Sequence, residues 1–226
     1  MMEDKSAKDG VAAMKVLLTA FDPFGGERMN PAQEAVKLVS QQLGEIEIVK
    51  CYVPTVFEKS VEIVVEAIKI HRPDAVLCVG QAGGRPQLTL ERVAINLDDA
   101  PIPDNAGNQP IDRTILADGK NAYFSTLPVK GMVAAIREAG IPAAISYTAG
   151  TFVCNHLMYG LLYTLENHYP GIRGGFLHVP FLPEQVKPGS NTPSMPLADI
   201  VRGIEAAIAA INKYSADISA SEGKTH

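Results

Sequence analysis

A chain of 226 residues, 46% hydrophobic and 20% charged, is long enough to bury one sizeable core and too apolar for disorder. Its formal net charge of −5, with Lys and Arg scattered rather than clustered, argues against nucleic acid as a partner. No stretch is apolar and charge-free for long enough to span a bilayer, so no membrane association is expected.

The polar start, MMEDKSAKDGVAA, has no apolar signal-type segment, and residues 1–13 read as a disordered extension or a cloning remnant. One domain is expected over 14–215, with a frayed tail over 216–226. MKVLLTAF (14–21) is a strand-type run, followed by a loop with Pro23, Gly25 and Gly26. Asn30 before Pro31 makes a good N-cap and N1 pair for a helix to about Leu43. IEIVKCYVP (46–54) alternates as a strand. Thr55 and Glu58 have capping-box spacing for a helix to about His71, with Val61, Val64, Val65 and Ile68 on one face.

DAVLCVG (74–80) is an unbroken apolar run, as in a strand covered on both faces. LERVAINL (90–97) predicts another strand, and the Pro- and Asn-rich stretch 98–113 a loop. PVKGMVAAIREAG (128–140) predicts a helix closed by Gly140. PAAISYT is a strand, and Thr151 is placed to cap a helix to about His168. GGFLHVPF is a further strand, and a Pro-rich loop (183–196) leads into an amphipathic helix over about 197–213. Strands alternating with helices predict an α/β protein, a three-layer α/β/α sandwich with a mostly parallel, mixed central sheet. Ligands bind beyond the carboxyl ends of such strands, where loops 21–29, 80–89, 98–113, 147–153 and 180–196 are expected.

Three cysteines without a CxxC pair give no support to zinc-ribbon or thioredoxin readings, and reduced, intracellular thiols are the simplest expectation. Cys51 and Cys78 lie inside strand patterns and read as packed thiols. Cys154 falls in the first turn of its helix if Thr151 is the cap. There the free amides and the helix dipole favour a thiolate and can donate to a developing oxyanion. Packing against the sheet is the competing reading, and spacing alone leaves the two level. His71 and His168 sit at helix ends, His226 lies in the tail, and His156 points away from Cys154. His178, near the carboxyl end of an apolar strand, is the candidate base, against a satisfied core histidine. Glu91 is the candidate group to orient it, against a surface ion pair. GxSxG, HExxH, GxxxxGK[ST] and GxGxxG are absent, and neither a metal nor a cofactor is expected.

Four blocks, LLTAFDPFGGERMNP, CVGQAGGRPQLTLERVAINLDDAPIPDNAGNQP, SYTAGTFVCNHLMYG and IRGGFLHVPFLPEQ, carry a family likeness from about Met14 to Ala210. In them the chain resembles the pyrrolidone-carboxylate peptidases (pyroglutamyl peptidase I), a cysteine peptidase family. The resemblance places the catalytic glutamate on Glu91, the nucleophile on Cys154 and the histidine on His178. It implies an α/β/α fold, a cytoplasmic location, no metal and frequent homotetramers. It also implies a reaction: hydrolysis of the amide bond after an N-terminal pyroglutamyl residue of a peptide, through a thioester.

A neutral lactam asks for an apolar slot and a few polar groups. Phe21, Phe24, Ile102, Phe152 and Val153 are candidates for the slot, with core packing the alternative. Gln81 is a candidate for the lactam's polar atoms, and Asn30 for steadying the FDPFGG loop. In one place the chain departs from the pattern: relatives often carry Arg immediately before IPDN, beside the oxyanion, and Pro101 stands there. Two other classes remain. A relative that binds peptides without cleaving them is opposed by intact Cys154, His178 and Glu91. A nucleoside- or phosphate-handling enzyme lacks basic residues around its glycine loops.

Overall fold

The computed structural model describes residues 13–223 and 225, so the expected extension, apart from Ala13, lies outside the described residues. In chain order, β1 (Lys15–Phe21) leads to α1 (Pro31–Leu38), β2 (Gln42–Leu43), β3 (Ile46–Val53), α2 (Lys59–His71) and β4 (Ala75–Gln81). Then follow β5 (Leu88–Glu91), β6 (Val93–Ile95), β7 (Ala122–Phe124), α3 (Val129–Glu138) and β8 (Ala143–Ser146). α4 (Val153–His168), β9 (Arg173–Val179), a 3₁₀ turn at Pro183–Gln185 and α5 (Leu197–Lys213) complete the order.

The seven-stranded sheet has the order β2-β3-β1-β4-β9-β5-β8. β3, β1, β4 and β9 are parallel, whereas β5 runs antiparallel to β9 and carries β8 in its own direction. β6 and β7 form a separate two-stranded ribbon. Strand alternation then sorts the core into two layers. Val16, Leu18, Leu77, Val79, Leu177 and Val179 face α1, α3 and α5. Leu17, Phe21, Val76, Cys78 and Phe176 face α2 and α4. This is the expected three-layer α/β/α sandwich with a mixed sheet.

Several local expectations are corrected. α1 is capped by the Asn30 side chain, which accepts from Ala32 N at 3.0 Å, but it stops at Leu38. Val39, 1% exposed, turns extended at ψ 136° and sends the chain into β2. Thr55 does not open α2: its hydroxyl donates to Asp22 O and its N–H to Asp22 Oδ1. Glu58 is the N-cap, at φ 31°, with no side-chain cap. Thr151 does not cap α4 either; its hydroxyl donates to Asp99 O at 2.8 Å, and the cap position belongs to Phe152.

The run 90–97 is two strands, because the chain changes partner at Arg92, whose N–H still meets Ser146 O while its C=O accepts from Ser125. β7, three residues long, escapes the pattern. The tail after Ser215, expected to fray, is tied back: Asp217 accepts from Lys130 N and Gly131 N, and Glu222 pairs with Arg137.

Candidate active site

Cys154 is the second residue of α4, and α4 lies over β4 and β9. On that face β4 presents Cys78 and then Gly80, and β9 presents Phe176 and then His178. Gly80 is the register partner of His178. A Cβ on Gly80 would stand 3.1 Å from the Cys154 sulfur and 2.8 Å from Phe176 Cζ. The sulfur therefore rests in the space left by a missing side chain, on the strand beside His178.

His178, 3% exposed, holds Glu91 Oε1 at 2.7 Å through Nδ1. The two meet on the diagonal of an antiparallel pair, because Glu91 is opposite Phe176 and Thr89 is opposite His178. Sequence reasoning put all three residues on one edge of the sheet, with Glu91 opening a strand, whereas Glu91 closes β5. For Glu91 the strand direction is reversed, and a side chain reaching along the sheet makes up the offset.

Arg85 was not singled out in the sequence, yet its Nη1 lies 2.6 Å from the same Glu91 oxygen. Glu91 is fully buried, and Oε2 has no hydrogen-bond partner among the described residues. Ser146 Oγ is near enough to favour the charged carboxylate, but its proton goes to Thr148 O at 3.0 Å. Burial works against the Glu91 charge. The hydrogen bond and charge of His178, with Ser146 and Arg85, outweigh it and hold the carboxyl below its ordinary value.

The thiolate expected at the helix start meets an opposing environment. Cys154 keeps some solvent contact, yet burial of its thiol, and then the Glu91 charge, push it up to about 12, with Arg85 pulling the other way. It rests as a thiol, and its proton must leave with the help of a base. His178 Nδ1 is committed to Glu91, so Nε2 is the nitrogen left to take it. No side chain caps α4, which leaves the first amides of the helix free to donate.

The neighbours of Cys154 clamp the helix start. Asn155 Oδ1 accepts from Ile95 N, and its Nδ2 donates to Ile95 O and Leu97 O. His156 Nδ1 holds Asp98 at 2.9 Å while Nε2 accepts from Glu58 N at 3.0 Å. His156 is thus saturated by structural bonds.

The proposed slot residues separate into two sets. Phe24 and Phe152 have ring centroids 6.1 Å apart, and Phe57, missed in the sequence, sits edge-on to Phe152 at 5.5 Å. Ile102, 39% exposed, lies against the same glycine loop; a Cβ on Gly25 would stand 3.6 Å from its Cδ1. Phe21 and Val153 instead belong to the core, at 2% and 0% exposure. Gln81 ends β4, with its Oε1 accepting from Gln185 at 3.3 Å. Asn30 Nδ2 donates to Asp22 O and so holds the FDPFGG loop.

Among the described residues no group of three or more His, Cys, Asp or Glu is placed to hold a metal, and no helix is long and apolar enough to cross a membrane. Known proteins are similar to this chain over most of its length. Residues 14–214 match the family described as pyroglutamyl peptidase. The pyrrolidone-carboxylate peptidase of Streptococcus suis is 57% identical over 215 residues, covering 94% of this chain and 100% of the relative. The crystal structure of pyroglutamyl peptidase I from Bacillus amyloliquefaciens superposes with a TM-score of 0.88 at 53% identity, over 91% of this chain and 100% of that one. The pyrrolidone carboxyl peptidase from Thermococcus litoralis gives 0.88 at 36% identity, over 92% and 99%. A family match over residues 14–214, with relatives more than half identical along almost the whole chain and the same fold, places the chain in the pyroglutamyl peptidase family.

Proposed function

We propose that this chain is a cysteine exopeptidase that removes the N-terminal pyroglutamyl residue of peptides, with Cys154 as nucleophile, His178 as base and acid, and Glu91 as orienting carboxylate. The observation that carries the reading is the buried 2.7 Å His178–Glu91 bond on the strand next to the Cys154 sulfur. Cys154 gives its proton to His178 Nε2 as sulfur bonds to the substrate carbonyl carbon. The free amide of Cys154 receives the oxyanion, and Pro101 contributes no donor there. The C–N bond breaks as the imidazolium protonates the leaving amine. Water, deprotonated by His178, then adds to the thioester carbonyl; the C–S bond breaks, the Cys154 sulfur takes the proton back from His178, and pyroglutamate is released.

In this reading Phe24, Phe152 and Ile102 take the lactam ring, with Phe21 and Val153 behind them. Gln81 offers its amide, and Asn30 keeps the FDPFGG loop in place. A lactam lacks the charged amine of an ordinary N-terminus, which suits a slot built from apolar groups. Proline in the slot leaves the lactam's polar partners unpaired and is rejected. A cytoplasmic location and a homotetramer belong to the same reading, and fractionation and light scattering test them.

The central experiment measures release of a chromophore from a pyroglutamyl substrate. Wild type turns over and Cys154→Ala does not. Equal activity of the two, or an inactive wild type, sinks the reading.

A further inference from the structure

We propose that Arg85 is a positioning residue of this site, fixing the charged Glu91 carboxylate against His178 and tying the end of β5 to the loop that delivers Cys154. The inference rests on the peptidase reading above. Arg85 Nη1 lies 2.6 Å from Glu91 Oε1 and 2.5 Å from Thr89 Oγ1. Its Nη2 reaches Thr148 O at 3.3 Å, in the segment between β8 and α4. One guanidinium therefore touches the carboxylate of the base pair, the strand residue opposite His178, and the approach to the nucleophile.

Glu91 needs this support. It is fully buried, and Oε1 carries both of its bonds to charge-bearing donors while Oε2 has no partner among the described residues. A buried carboxylate with few donors is costly, and the imidazole is then free to surrender its Nδ1 proton to it. Arg85 opposes that transfer by favouring the anion, and its fork reaches the carboxylate and the Thr148 carbonyl together. A lysine, with a single ammonium, cannot span both.

The titratable groups coupled to this charge are Glu91 on β5, His178 on β9 and Cys154 on α4, with Cys78 on β4 acting in turn on Cys154. The Arg85 side chain is 29% exposed, beside a cleft of about 350 Å³ lined by Thr89, Ser146 and Thr148, so water screens it only in part.

The test compares wild type, Arg85→Gln and Arg85→Lys by chromophore release across pH, with melting curves as the check on folding. For Arg85→Gln, kcat falls about tenfold or more, KM stays within about twofold, and both limbs of the pH profile move up by about half a unit, because a lost positive charge favours the protonated form of each neighbour. Arg85→Lys keeps both limbs at their wild-type positions and loses kcat with KM unchanged. An unmoved Arg85→Gln profile overturns the proposal. So does a raised KM with intact kcat in Arg85→Lys, a result that decides even where Arg85→Gln fails to fold. An inactive wild type instead counts against the peptidase reading, independently of Arg85.

Discussion

At Gly80 a single methyl group would press on two parts of the site at once, meeting Phe176 at 2.8 Å and the Cys154 sulfur at 3.1 Å. Phe176 cannot retreat, since its ring is 1% exposed and stands 4.7 Å, centroid to centroid, from that of His178. Gly80→Ala is expected to cost roughly 1–3 kcal/mol of stability through overpacking. It should also lower kcat, read by chromophore release beside a melting curve. Glu91 makes a second case. Its carboxyl is held below its ordinary value in the folded protein, so its contribution to stability is complete above the ordinary carboxylate range and is lost as pH falls through the folded value. Glu91→Gln removes the charge that fixes the imidazole, and kcat should drop by about a hundredfold or more. The variant's melting temperature should also depend less on acid pH than that of wild type. Cys154 and His178 were visible in the sequence as a polar residue at a helix start and another in an apolar strand. Arg85 was not, because a surface-type residue in a glycine loop gives no sign of which buried carboxylate it will meet.

Loop 98–113 shows what pattern reading leaves out at the scale of an element. Its Pro, Asn and Asp content marks it as a loop, but not what holds it. Asp104 accepts from Phe57 N, Ala106 N and Asn108 N, and also from the Asn108 side chain. Asn105 Nδ2 reaches Asp22 Oδ1 and Pro23 O. The IPDN stretch is thus a clasp between the start of α2 and the FDPFGG loop, and Ile102 rides on it. The same competition explains the two failed caps: Thr55 and Thr151 have cap-like spacing, but each spends its hydroxyl on a distant loop carbonyl. Local spacing cannot foresee a partner dozens of residues away. Asp104→Ala leaves several amides unpaired and should cost roughly 2 kcal/mol. It should also raise KM more than it lowers kcat, since the slot loosens while Cys154, His178 and Glu91 stay in place. Burial opposes the Asp104 charge, but hydrogen bonds from Asn108, Phe57 and Ala106 hold its carboxyl below the ordinary value. The clasp is therefore intact above the ordinary Asp range and weakens as pH falls through the folded value.

For the whole molecule, the alternation of strand and helix patterns was enough to specify three layers and to place α5 at its observed ends, Leu197–Lys213. Strand direction was not legible. Nothing in LTLE reveals that β5 enters antiparallel to β9, and that reversal decides how Glu91 meets His178. Nor did composition reveal the tail's role, because its contacts lie with chain some 85 residues away. α3 begins at Val129, and Pro128 at its cap position offers no side-chain cap; Asp217 supplies one from outside, accepting from Lys130 N and Gly131 N at 3.0 Å each. Glu222 binds Arg137 at 2.7 and 3.0 Å, and its carbonyl accepts from the Tyr147 hydroxyl, just beyond the edge strand β8. The family match ends at residue 214, so this clasp lies outside the matched region. A missing N-cap costs about 1 kcal/mol, which in a domain of this size lowers the melting temperature by about 2–4 °C. Asp217→Ala should show that shift, and a chain ending at Ser215, which also loses the Glu222–Arg137 pair, a larger one. The contacts of Asp217 and Glu222 go to α3, Arg92 and Tyr147 rather than to Cys154, His178 or Glu91, so kcat and KM at 25 °C should match wild type in both variants. A melting temperature unchanged by removing residues 216–226 would show that these contacts add nothing to the stability of α3 and β8.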